Sequence, residues 1–269
     1  MNGEARLSPR QLEKDHIGVG VLFNNDRAGD ARYGTTQLYV SGSYIWHASK
    51  DSSLVVTVGT NLGWCQVGFD YTKMTFDNQF DGYQYNKSLA SGEQFSWVQR
   101  SFFDLNVGSV VRYIYHKKQS FTYGLGVYHV TTPVISYQGN DISKLDYKMS
   151  HYLSYQAPIN YYNDIIAEAL YNSQGKNYEI IPHVSIKHYL KKEESQAISA
   201  GAAFRARDAV IVRLGYFYRT MQSGIAYDIN LSNFNAASNR RGGFELFINY
   251  IIKTKPAFVA KKRPCPVFI

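Results

Sequence analysis

The stretch FDLNVGSVVRYIYH, residues 103–116, alternates two kinds of side chain along most of its length. Its odd-numbered positions are mostly large and apolar, whereas its even-numbered positions include Asp104, Asn106, Gly108 and Arg112. A period of two is typical of a β-strand whose two faces meet different surroundings. The stretch is also much longer than the five or six residues usual in globular sheets. It therefore predicts a long strand with one apolar face and one small or polar face.

The same period recurs through most of the chain. Eleven segments show it: residues 16–24, 36–47, 53–67, 102–116, 120–131, 144–157, 178–190, 196–206, 208–219, 223–232 and 241–253. Several joints between these segments are short, which predicts antiparallel hairpins. Only residues 164–170 predict a helix, of at most two turns. The fold class predicted is all-β and antiparallel.

The composition combines many rings with few charges, at 23 Tyr, 15 Phe, 3 Trp and 19% charged residues. This balance argues against disorder. On the predicted strands the apolar face is aliphatic in the middle and aromatic towards the ends. The aromatic positions include Trp46, Trp64, Tyr113, Tyr115, Tyr216, Tyr218 and Tyr250. A transmembrane β-barrel has such girdles and a polar interior. A soluble β-sandwich or lipocalin-like barrel is the alternative, although the second face is poor in charge for open water.

The chain shows no apolar run of 18 residues, and its first residues lack the apolar core of a secretory signal. Bacterial outer-membrane barrels have an even number of strands and need an export signal. The odd strand count and the missing signal together predict that the chain begins inside its reading frame or is a processed fragment, with a leader and further strands upstream.

The net charge of +8 arises from basic residues at turns and in the tail. No nucleic-acid-binding motif accompanies them, so a nucleic-acid partner is not expected. Cys65 and Cys265 are too far apart in sequence to suggest a disulfide framework or a metal site.

The histidines lie on different predicted strands, and no carboxylate recurs beside them at a spacing typical of metal ligands. Ser49 lies near His47 and Asp51, but turns favour such residues for backbone reasons. The sequence therefore predicts no catalytic residue, no metal, no cofactor and no enzymatic activity.

Polar and charged residues on the second face are candidates to line a lumen. They are Asn61, Asp104, Asn106, Arg112, Lys187, Arg213, Arg219, Glu245 and Asn249. Such residues line a conduit or bind a plug in one interpretation. In the other they pair with one another, because a lone buried charge is costly.

Two long joints, 68–101 and 158–177, are candidates for partner contact or for occluding the lumen, because long ordered loops usually carry function. Eight aromatic residues in the first joint favour a packed or docking segment. The basic, Pro-rich tail from Lys253 cannot extend a strand. It is either a docking peptide for a periplasmic component, with Pro264, Cys265, Pro266 and Phe268 as candidate contacts, or a disordered end.

Several motifs resemble those of the PorP/SprF family. Residues 18–29 (GVGVLFNNDRAG) resemble its second-hairpin motif, and 103–108 (FDLNVG) and 128–133 (YHVTTP) its next two landmarks. Residues 227–230 (YDIN) and 237–246 (ASNRRGGFEL) resemble its closing strands. Residues 263–268 (RPCPVF) resemble its C-terminal Cys-Pro-x-Phe ending. The motifs occur in the family's order over residues 17–269. The family's leader, the segment after it and the first strands are absent, and the loop 158–177 is expanded.

The resemblance implies an outer-membrane β-barrel of about fourteen strands in bacteria with type IX secretion and gliding motility. It also implies three kinds of partner: outer-membrane lipid, the secretion machinery with its periplasmic or peptidoglycan-associated components, and a secreted surface adhesin. The predicted organisation is an N-terminal remnant (1–15), a barrel (16–253) and a tail (254–269). The predicted function is delivery or anchoring of surface proteins without chemistry. The alternatives are a diffusion channel or hydrophobic-solute uptake barrel, and a soluble carbohydrate-binding β-sandwich.

Overall fold

Thirteen strands form one antiparallel sheet in the computed structural model, which describes residues 1–9, 12, 14–116, 119–137, 139, 143–191, 195–232 and 241–252. The strands are β1 (Asn2–Leu7), β2 (His16–Ala28), β3 (Tyr33–His47), β4 (Leu54–Gly68), β5 (Gln99–Ile114), β6 (Ser120–Tyr128), β7 (Lys148–Pro158), β8 (Asn163–Gln174), β9 (Asn177–Lys191), β10 (Gln196–Arg205), β11 (Ala209–Tyr218), β12 (Met221–Asn230) and β13 (Arg241–Tyr250). Two three-residue 3₁₀ turns, Tyr71–Lys73 and Asp77–Gln79, lie between β4 and β5.

Strand order in the sheet follows chain order from β1 to β13. Within the described ranges, β1 pairs with β2 alone and β13 with β12 alone. Side chains from every strand between β7 and β13 line one cleft, so the sheet curls around one of its faces. This arrangement confirms the predicted all-β, antiparallel barrel class.

The outer face of the sheet carries the large apolar side chains. In β5, Phe103, Val107, Val111 and Tyr113 are all exposed. Tyr113 lies ten residues after Phe103, a span of roughly 33 Å along a strand. With a strand tilt of about 40°, that span corresponds to a height of about 25 Å, which matches the apolar band of an outer-membrane barrel. Aliphatic side chains between two rows of rings therefore suit the outer face to lipid.

The inner face is built from small and polar side chains. Residues directly opposite one another in an antiparallel pair share a face, and the register places Asn61 opposite Asn106 and Gly63 opposite Asp104. Further round the sheet, Ser199 lies opposite Gly215 on the same face. Small residues leave room inside the curl for the few long polar side chains that the inner face also carries.

The prediction of a helix at residues 164–170 is wrong, because this segment belongs to β8, which pairs with β7 and β9 along its whole length. Its inner face carries Ile166 and Leu170 and its outer face Ile165, so apolar residues on both faces conceal the period of two. The predicted long joint 158–177 is consequently a strand between two short connections. A further strand, β1, lies within the predicted N-terminal remnant and extends the sheet beyond β2.

The connections differ between the two ends of the sheet. At one end, here called the loop end, lie the joints 29–32, 69–98, 129–147, 175–176, 206–208 and 231–240. At the other, the turn end, lie 8–15, 48–53, 115–119, 159–162, 192–195 and 219–220. The three longest joints are all at the loop end. Within the described ranges, no helix is both long enough and apolar enough to span a membrane.

Candidate functional site

The two longest joints at the loop end pack against each other around a cluster of rings. Phe69 contacts Phe95 and Tyr137 edge-on, with ring centroids 5.1 and 4.9 Å apart. The backbone N–H groups of Ser96 and Trp97 both donate to the carbonyl of Tyr137. Joints 69–98 and 129–147 therefore form one ordered unit, named the outer loop unit below. This packing agrees with the prediction of a packed or docking segment.

The outer loop unit also displays rings away from its own core. An isolated β-bridge joins Phe80 to Tyr85. At the tip between them Tyr83 is 97% exposed, and Phe80 and Tyr85 are also exposed. Asp81 accepts hydrogen bonds from the backbone N–H groups of Tyr83 and Gln84, and these bonds hold the pKa of its carboxyl below the ordinary value. The tip is thus an ordered turn that presents aromatic surface.

Beneath this unit, Asp104 is the centre of a buried polar group on the inner face, named the Asp104 group. Tyr39 donates a hydrogen bond of 2.6 Å to Asp104 Oδ2 and lies 3.1 Å from Cys65 Sγ. His129 Nδ1 lies 2.9 Å from the same carboxylate oxygen. The His129 backbone N–H also donates to Asn106 Oδ1. Because His129 begins the joint 129–147, this group fastens the outer loop unit to the sheet.

Gly63 makes the Asp104 group possible. An ideal Cβ at this position would lie 2.2 Å from Cδ1 of Tyr39, far inside van der Waals contact. The phenol ring of Tyr39 therefore lies flat over the Gly63 backbone and reaches Asp104 on the next strand. Asn61, two residues earlier, shares the inner face.

A second polar group lies around Arg205 on strands β8 to β12. Its guanidinium is 3.3 Å from Glu179, 3.1 Å from Asp208 and 3.4 Å from Asp228. Glu168 nearby is 2.8 Å from His183 Nδ1 and also accepts a short hydrogen bond from Tyr152. Of these side chains, Arg205, Asp228, Glu168, His183 and Tyr152 border a cleft of about 280 Å³, which Arg213 and Glu245 also line.

A third group lies at the turn end, where Lys187, Arg219 and Asn249 line a cleft of about 140 Å³. The ammonium group of Lys187 lies 4.0 Å above the ring of Phe217. Arg219 occupies the joint 219–220 with a left-handed φ of +53°. Three of the candidates named from the sequence thus meet in one cleft.

The remaining sequence candidates are placed as follows. Arg112 lies on the inner face of β5, opposite Thr122, away from the three groups. Asp51, near Ser49, accepts from the backbone N–H of Ser53, while His47 Nδ1 lies 3.7 Å from Asp15. These side chains form turn contacts. The tail candidates Pro264, Cys265, Pro266 and Phe268 lie outside the described residues.

Sequence reasoning did not select Tyr39, Cys65, His129 or Arg205 as site residues. His129 lies in the YHVTTP stretch, but the sequence shows no carboxylate beside it. Gly63 is the one local signal, since a glycine in a strand interior often marks a close approach. The sequence does not show which ring approaches Gly63, because that depends on the register of the neighbouring strand.

Comparisons with known proteins give a family and structural likenesses, of which one is described. A family model for the type IX secretion system membrane protein PorP/SprF matches residues 7–250. A search of curated proteins found no significant match. Among solved structures, the toluene transporter TbuX of Ralstonia pickettii is similar at 8% identity and a TM-score of 0.48, covering 86% of this chain and 75% of that chain.

Proposed function

Because this chain belongs to the PorP/SprF family of type IX secretion system membrane proteins, we propose that it positions secreted surface proteins at the outer membrane. It lies in the outer membrane and acts with the secretion machinery. The finer proposal is that it delivers or anchors particular surface proteins, including adhesins used in gliding motility. In this proposal the barrel binds and orients its partners, and it catalyses no reaction.

The observation that carries the proposal is the difference between the two ends. Outer-membrane barrels have short periplasmic turns and longer extracellular loops. The joints 69–98 and 129–147 are both at the loop end, which we therefore assign to the cell exterior. The turn end, where β13 ends, then faces the periplasm, where the machinery's periplasmic components are.

The outer loop unit supports a binding role. Rigid aromatic side chains supply large contact area at low entropic cost and are enriched where protein partners bind. Tyr83, Phe80 and Tyr85 are exposed on one bridged tip. His129 and Asp104 fasten the unit that carries them to the sheet. A secreted protein would therefore meet a preorganised surface.

The test is deletion of the gene and complementation with variants of the tip. We expect deletion to remove one or a few proteins from the cell surface. Complementation with Phe80→Ser/Tyr83→Ser/Tyr85→Ser should leave those proteins reduced at least fivefold at an unchanged amount of barrel. Tyr161→Ser/Tyr162→Ser, changes of the same type at exposed rings of the turn end, serve as the control and should restore them fully.

Conductance in planar bilayers separates this function from that of a diffusion channel. A delivery barrel should give no ohmic conductance and should leave solute permeability unchanged on deletion. An open ohmic pore, together with an unaltered set of surface proteins in the deletion strain, would contradict the proposal.

A further inference from the structure

The turn-end cleft contains two cations, Lys187 and Arg219, that form no ion pair among the described residues. Lys187 is half-buried and contacts the rings of Phe217 and Tyr189, at 4.0 and 5.2 Å. Asp164 lies directly opposite it in register. That carboxylate accepts hydrogen bonds at Oδ2 from Tyr189 and Gln156, and its charge acts on Lys187 from beyond ion-pair distance. Lys187 makes no ion pair within the described part of the chain.

Arg219 borders the same cleft from the joint between β11 and β12. Its guanidinium carbon lies 5.1 Å from the centroid of the Tyr218 ring, and the residue is exposed. No carboxylate of the described residues pairs with it. Lys187, the partly buried cation of the two, lacks a contact ion pair, and a buried charge without one is costly. The cleft thus offers two positive charges to an anion from outside.

The rest of the lining is rich in neutral donors. Gln222 and Asn249 lie directly opposite each other in register, and their amide groups can both donate. The hydroxyl-bearing residues Ser195 and Thr220 complete the polar lining. The described lining contains no acidic side chain. Its volume of about 140 Å³ is several times what one water molecule needs.

We propose that this cleft binds a phosphate group. Two cations match a doubly charged group, and the guanidinium fork together with the two amides suits an anion with more than two oxygens. A carboxylate has one charge and two oxygens, so it leaves part of the set unpaired. The group is either free inorganic phosphate or the phosphate of a lipid headgroup that reaches the mouth of the barrel at the turn end.

The first experiment titrates purified protein in detergent with sodium phosphate, by calorimetry, with sodium acetate in parallel. We expect saturable phosphate binding and at least tenfold weaker acetate binding. Lys187→Gln and Arg219→Gln should each weaken phosphate binding at least tenfold. Arg112→Gln, which removes a cation from the same face outside the cleft, should change it less than twofold. Far-UV circular dichroism checks that each variant keeps its strands.

A second arm distinguishes the two sources. Phosphate is titrated into protein in nanodiscs of phosphatidylglycerol and in nanodiscs of a phosphate-free galactolipid. At least tenfold weaker binding in phosphatidylglycerol identifies the lipid headgroup as the occupant, and equal binding identifies free phosphate.

Three results would overturn the proposal. One is no saturable phosphate binding by the wild-type protein in detergent or galactolipid. Another is an equal loss in Arg112→Gln. The third concerns Glu193 and Glu194, neighbours in sequence whose placement lies outside the described residues. If Glu193→Gln/Glu194→Gln raised phosphate affinity tenfold, the protein's own turn would be the occupant of the cleft.

Discussion

The Asp104 group and the Arg205 group surround an acidic and a basic side chain on the same inner face in different ways. Asp104 has a fully buried side chain, and its neighbours are one phenol and one imidazole. Arg205 is 30% exposed and has three carboxylates within reach, of which two are about as exposed or more so. Water weakens exposed ion pairs, whereas a buried charge that loses its partners keeps the full cost of desolvation. Burial, more than the number of ion pairs, should therefore decide which group contributes more to the free energy of unfolding.

The largest effect should follow from Asp104→Ala. This change leaves the hydroxyl of Tyr39 and the ring of His129 without their shared acceptor. Leaving two polar groups of the sheet interior without an acceptor costs about 3 kcal/mol of unfolding free energy in all. Urea unfolding of the protein in lipid vesicles, followed by tryptophan fluorescence, measures the change. Asn61→Ala on the same face is the control and should cost less than about 1 kcal/mol. The comparison fails if Asp104→Ala costs no more than a change at Arg205.

Gly63→Ala should have the next largest effect. The new methyl group would meet the Tyr39 ring at 2.2 Å, so the phenol must move and its contact with Asp104 is strained. Overpacking of this kind costs about 2 kcal/mol. Gly42→Ala is the matched control, because an ideal Cβ there has nothing within 4 Å. The same unfolding assay should show the control within about 0.5 kcal/mol of the wild type. Equal costs at the two glycines would argue against the role given to Tyr39.

Arg205→Gln should have a smaller effect, of about 1 kcal/mol, because its ion pairs are partly exposed and screened. The effect should shrink further in 1 M salt, where charges are screened within about 3 Å. Asp104→Ala should show little dependence on salt. A double-mutant cycle of Arg205→Gln with Asp228→Asn isolates the pair between β10 and β12. A cost above that of Asp104→Ala would reverse the order that burial predicts.

Asp51 extends the series to a fully exposed carboxylate at the turn end. Hydrogen bonds from the hydroxyls of Ser49 and Ser53 and from the Ser53 backbone lower its pKa to about 2. Since the folded pKa is below the ordinary value of 3.8, its stabilising contribution is complete above that value and is lost as the pH falls towards 2. Ser49→Ala should return the pKa towards 3.8, as read by carboxyl NMR, with a smaller effect on stability than Arg205→Gln. No change in pKa would show that the Ser49 contact is absent in solution.

The strands were predictable from sequence wherever the two faces differ in polarity. β5 shows this best, since apolar and polar positions alternate over most of its length. β8 was not predicted as a strand because Ile165 and Ile166 are apolar on opposite faces, and because Ala167 and Ala169 have high helix propensity. The glycine at position 175 was one sequence signal for a turn. In the structure it begins the two-residue joint to β9 with a φ of +56°, a conformation typical of tight hairpins.

The polar groups were predictable only as far as the face on which each residue lies. Asp104 and Asn106 were selected because they lie on the polar face of an alternating strand. Tyr39 and Cys65 lie on two other strands, and only the register shows that they face Asp104. The same limit applies to Arg205, whose three partners come from three separate segments.

The neighbour-only pairing of the sheet also governs the order in which it can assemble. Each strand pairs with its neighbours in the chain. The sheet can therefore form one hairpin at a time, before more distant segments are in place. The connection 69–98 is the exception, because it is roughly two and a half doublings longer than 115–119. Each doubling adds about 0.6 kcal/mol to loop closure, or about 1.5 kcal/mol in all. The joining of β4 to β5 is therefore the step at which insertion should pause.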